Sequence, residues 1–66
     1  MKLSINGETK NFTNSMNLSK LLEVLKIQIN GVAVAINMEI VSRNKYDATI
    51  LNDGDEIEIV RAVGGG

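Results

Sequence analysis

The 66-residue sequence contains no cysteine, no histidine, no proline and no tryptophan. Without cysteine there is no disulfide framework, and no thiolate can act as nucleophile or zinc ligand. Without histidine the commonest general base and metal ligand are missing as well. Most catalytic architectures are thereby excluded. The aromatic side chains are Phe12 and Tyr46 alone, too few to build a stacking platform for bases. The longest stretch without a charge, residues 27–38, holds Gln28, Asn30, Gly31 and Asn37, so no transmembrane span is expected. The amino terminus has one lysine and no apolar run of the signal-peptide kind, so a soluble, cytoplasmic protein is expected.

What remains is an ordinary globular balance, 44% hydrophobic and 23% charged, which argues against disorder. A chain of this length forms one domain, burying about 60% of its unfolded surface. The usual stability per residue gives it roughly 3–10 kcal/mol. The net charge of −1 conceals an uneven distribution. Residues 1–46 carry six basic and three acidic side chains, whereas residues 47–58 hold Asp47, Asp53, Asp55, Glu56 and Glu58 with no basic partner. That acidic stretch disfavours nucleic acid and suits a basic protein surface. As a cation site it is unconvincing, because no EF-hand spacing is present. A turn leading into a solvated strand face explains these residues, and no metal ligand set is predicted.

Residues 1–6 alternate apolar and polar, the pattern of a half-buried strand, and Asn6-Gly7 suits a type I′ hairpin turn with no further role. A return strand over residues 8–13 has Phe12 as its anchor. From Leu18 the period changes, with Leu18, Leu21, Leu22 and Leu25 forming one helical stripe. Asn17 is the predicted N-cap, Met16 and Leu21 the hydrophobic staple, and the helix is expected to end between Lys26 and Gln28. Residues 32–37 read as a central strand with Val32, Val34 and Ile36 toward the helix and Ala33 and Ala35 on the open face. A turn at Asn37-Met38-Glu39 leads to a short strand at Ile40-Val41. Residues 42–46 read as an irregular turn, and Ile50-Leu51 as a return to the core. Residues 52–55 form a strong turn signal before a last strand over residues 56–63, with Ile57 and Ile59 inward and Glu58, Val60 and Ala62 outward. Leu3, Ile5, Leu21, Leu25, Ile57 and Ile59 are the predicted core. Strands around one helix indicate an α+β fold with the helix packed across one sheet face.

Gly64, Gly65 and Gly66 follow that strand and end the sequence. A phosphate loop, which needs a helix directly after its glycines, is not expected here. On composition alone they read equally as a frayed or non-native tail and as a reactive peptide. The second reading has a physical basis. Glycine has no Cβ, so such a tail can thread a narrow tunnel and present an unhindered carboxyl carbon. Three extended residues reach about 10 Å.

The order of elements, with Ala35-Ile36-Asn37, Val41-Ser42-Arg43, Tyr46, Asp53-Gly54-Asp55 and the terminal glycines after Val63, resembles the ThiS family of sulfur carrier proteins over the whole chain. The resemblance implies a β-grasp, ubiquitin-like fold, with a mixed sheet of four to five strands over residues 1–63 and a flexible tail at 64–66. It also implies that Gly66 is adenylated by an E1-like ThiF enzyme using ATP and magnesium, with Gly65 and Gly64 threading the partner's active site. Sulfur drawn from cysteine by a desulfurase would convert the adenylate to a thiocarboxylate, and thiazole synthase (ThiG) would take it into the thiazole of thiamine. The chain would then be a carrier, not an enzyme, with no cofactor of its own, and a monomer when alone. Tyr46, where relatives often have Trp, and the extra Gly64 are departures expected to be harmless. Partner docking is expected on the open face through Ala33, Ala35, Glu58, Val60 and Ala62. The alternatives are the small subunit of molybdopterin synthase, whose members tend to be longer and to have prolines before the tail, and a non-covalent β-grasp interaction module.

Overall fold

The computed structural model describes residues 1–61. Strand β1 (Lys2–Ile5) turns into β2 (Glu8–Asn11), and helix α1 (Leu18–Val24) follows. Strands β3 (Val32–Ile36) and β4 (Glu39–Val41), a short 3-10 turn (Arg43–Lys45) and β5 (Glu56–Arg61) complete the order. The five strands form one sheet in the order β2-β1-β5-β3-β4. The β1–β5 pair is parallel and the other three pairs are antiparallel. A mixed five-stranded sheet with one helix across one face is the expected α+β, β-grasp arrangement. Among the described residues no helix is long and apolar enough to cross a membrane.

Burial separates the two faces. Leu18, Leu21 and Leu22 of α1 are fully buried against Leu3, Ile5, Val34, Leu51 and Ile57. Each such side chain contributes about 1.5–3 kcal/mol by leaving water. Leu25 and Ile59, also predicted as core, are only partly buried at its margin, as are Val32 and Ile36. Ile50 is a correction: it is exposed, and Leu51 alone re-enters the core. The reason is strand-like alternation where Asn17 and Ile50 form an isolated bridge, which sends neighbouring side chains to opposite sides.

The helix starts as expected and stops early. The backbone N–H of Lys20 donates to Asn17 Oδ1 at 2.7 Å, and Met16 packs against the core. The N–H of Leu18 donates to Thr49 O at 2.8 Å and that of Ser19 to Tyr46 O at 3.4 Å, so the 46–49 loop satisfies further donors at the helix start. At the other end Lys26 adopts φ 59°. Its N–H donates to Glu23 O at 3.0 Å, and that of Ile27 to Leu22 O at 2.9 Å. This is a Schellman closure with lysine where glycine is usual, and it ends α1 before the predicted range.

Two further readings are corrected. Residues 42–46 are not irregular: the 3-10 turn seats Tyr46 in the core at 3% exposure, so the packing role expected of that aromatic is kept. Glu39 belongs to β4, because the connecting turn has two residues, Asn37 and Met38, both at positive φ.

Candidate functional site

Among the described residues, no helix or strand covers the sheet face opposite α1. Cross-strand register fixes which side chains share it. Ala33 lies opposite Val60 and Ala35 opposite Glu58 across β3 and β5, while Ala35 also faces Ile40 across β3 and β4. Four of the five residues predicted to dock a partner, Ala33, Ala35, Glu58 and Val60, are therefore adjacent. The fifth, Ala62, lies outside the described residues, as do Gly64, Gly65 and Gly66, and Val63 of the predicted last strand.

Val60 is 61% exposed and Ile40 75% exposed, and between their strands the two alanines form a low floor. Met38 at the β3–β4 turn is 86% exposed. Large apolar side chains left in water contribute nothing to the stability of the free protein, and Val60 and Ile40 share one face on either side of the two alanines. Glu58 continues the Ile40–Ala35 row onto β5, and Glu56, two positions before it, keeps the same side of the strand. The apolar strip thus has an acidic border toward the centre of the sheet.

Ile40 and Met38 were missed from the sequence. The missing signal was turn length. A three-residue turn leaves the facing of Ile40 undetermined, whereas the two-residue turn pairs Ile36 with Glu39 and so places Ile40 beside Ala35.

The acidic turn is also more structural than its composition suggested. Asp53 Oδ1 accepts the backbone N–H of Lys2 at 2.6 Å. Asp55, expected on a solvated face, is 9% exposed. Its Oδ1 accepts from Asn37 Nδ2 at 3.0 Å and its Oδ2 from the N–H of Asn52 at 2.8 Å. A carboxylate can be buried because these donors replace water. Among the described residues no group of three Asp, Glu, His or Cys side chains is placed to hold a metal ion. Residues 1–61 thus present an apolar strip with an acidic border on this face.

The ThiS family model matches residues 3–66. The chain is 32% identical to the sulfur carrier protein ThiS of Escherichia coli over 66 residues, covering all of both proteins. It is 48% identical to a thiazole synthase of Paramagnetospirillum magneticum, again over its full length, but spans only 20% of that protein. A crystal structure of thiamine biosynthesis protein ThiS from Geobacter metallireducens superposes with a TM-score of 0.90 at 38% identity, over all of both chains. The chain belongs to the ThiS family.

Proposed function

We propose that this chain is a sulfur carrier in thiamine biosynthesis and that Gly66 bears the sulfur. The observation that carries the reading is the 32% identity over 66 residues to a protein named as a sulfur carrier. The proposed carrier is a co-substrate of other enzymes and works in the cytoplasm. No histidine or thiol is available, so the activating partner supplies the base, the magnesium and the phosphate contacts.

The proposed chemistry runs in two steps. An oxygen of the Gly66 carboxylate attacks the α-phosphorus of ATP, the bond to the β-phosphate oxygen breaks, and pyrophosphate leaves. A sulfur nucleophile at the oxidation level of hydrosulfide then attacks the carbonyl carbon, the carbon–oxygen bond breaks, and AMP leaves. Gly65 keeps the approach to that carbon narrow, and Gly64 acts as a spacer. A ThiF-like E1 enzyme is the proposed activator; sulfur from a cysteine desulfurase arrives as a persulfide on the partner enzymes, and a thiol reductant, itself oxidised to a disulfide, brings it to the hydrosulfide level.

Thiazole synthase is the proposed acceptor. A stretch similar to this chain makes up a fifth of a thiazole synthase, and joining two functions in one polypeptide is favoured where they must meet. The strip of Ala33, Ala35, Val60 and Ile40, with Met38 at its end and Glu58 at its border, is proposed to dock both partners in turn.

The test is incubation with ATP, the E1-like enzyme and sulfide, followed by intact-mass measurement. Exchange of one carboxyl oxygen for sulfur adds about 16 Da. A protein that gains no mass while the same enzyme modifies another carrier would overturn the reading.

A further inference from the structure

The hairpin turn of β1 and β2 does more than reverse the chain. Pairing of β5 with β3 continues to Arg61, which lies opposite Val32. On its other side, pairing with β1 ends at Ile57, because β1 enters the turn at Asn6. The backbone N–H of Asn6 still donates to Ile57 O at 2.9 Å, and its side chain then reaches one step further. Asn6 Nδ2 donates to Ile59 O at 3.2 Å, while Asn6 Oδ1 accepts the Ile59 N–H at 2.7 Å. One primary amide thus satisfies both backbone groups of Ile59, which in a continued parallel ladder would have bonded to two different residues of β1. Asn6 sits at φ 51°, a conformation asparagine tolerates, and the turn itself needs only that positive φ. The side-chain geometry is therefore a separate feature from the turn.

We infer that Asn6 is a positioning residue for the carrier reaction: its amide fixes Ile59 near the end of β5, the strand from which the chain runs on toward Gly66. The inference rests on the carrier reading. A docked domain whose last strand ends in the wrong direction presents its tail off line, and a displacement of about 1 Å at a reacting centre can lower turnover ~100-fold. Docking itself, through the strip on β3, β4 and β5, does not require the amide.

The test compares Asn6→Gly, Asn6→Asp and Ile5→Val with the parent. Asn6→Gly keeps a turn that accepts positive φ and removes the amide. Asn6→Asp keeps the acceptor for Ile59 N–H and loses the donor. Ile5→Val loosens the core beside the turn and leaves the amide in place. In Asn6→Gly, hydrogen exchange at the Ile59 amide should quicken about tenfold relative to Leu3 and Val34. Turnover in thiocarboxylate formation should fall ~10-fold or more with KM unchanged in Asn6→Gly and equally in Asn6→Asp, whose second oxygen would face Ile59 O, and Ile5→Val should match the parent. Unchanged exchange at Ile59, unchanged turnover, a change in KM alone, or an equal loss in Ile5→Val would each overturn the inference. If the parent itself gained no mass, the carrier reading would fall, and the exchange comparison would still decide whether Asn6 holds the strand end.

Discussion

Asn37 donates its side-chain Nδ2 to the buried carboxylate of Asp55 at 3.0 Å, tying the β3–β4 turn to the turn that launches β5. The tie is reciprocal, for Asn37 Oδ1 accepts the N–H of Glu56 at 3.0 Å and its own N–H donates to Glu56 O at 2.8 Å. Asp55→Asn preserves shape but places a donor where two donors already point. It should destabilise the protein by about 1–3 kcal/mol, read as a lower urea midpoint. An unchanged midpoint would show that Asp55 is not held as described.

Leu21 is fully buried at the centre of the helix face. Leu21→Ala should cost about 2–5 kcal/mol, a large part of the stability available to a chain of this size. Chemical denaturation measures it. A thermal midpoint within a degree or two of the parent would contradict the assignment of that face.

Lys26 closes the helix at φ 59° although it has a Cβ. Glycine removes that strain, roughly 1–2 kcal/mol, and returns part of it as unfolded-chain entropy. Lys26→Gly should therefore be slightly stabilising, raising the thermal midpoint by a few degrees. A lower midpoint would mean that the lysine side chain contributes more than its backbone conformation costs.

Local features are legible in the sequence, whereas those that depend on distant pairing are not. The N-cap at Asn17 and the hairpin at Asn6-Gly7 were legible because they depend on neighbouring residues. The end of α1 was not, since a lysine in the left-handed region carries no compositional signal. Asp55 looked solvated because its partners Asn37 and Asn52 differ in sequence distance, and only the folded sheet brings Asn37 to it. Alternation along β3 and β5 was enough to put Ala33, Ala35, Glu58 and Val60 on one face, the one proposed for docking. Ile40 depended on a turn one residue shorter than its composition suggested.

Val60 and Ile40 make separable predictions for docking. Val60→Asp and Ile40→Asp each place a charge in the proposed contact without touching the core, since both side chains are mostly exposed. Each should abolish complex formation with the activating enzyme and with thiazole synthase, while circular dichroism stays that of the parent. Thr9→Asp, on exposed β2, is the control and should bind normally. Parental affinity in both β3–β5 face variants would place the interface elsewhere.

The central claim is that sulfur is carried on Gly66, and fragmentation of the intact modified protein tests it most directly. After incubation with ATP, the E1-like enzyme and sulfide, the gain of about 16 Da should appear only in fragments containing residue 66. A protein lacking Gly66 should stay folded and gain nothing. A gain located in residues 1–61, or one that persists after Gly66 is removed, would contradict the carrier role.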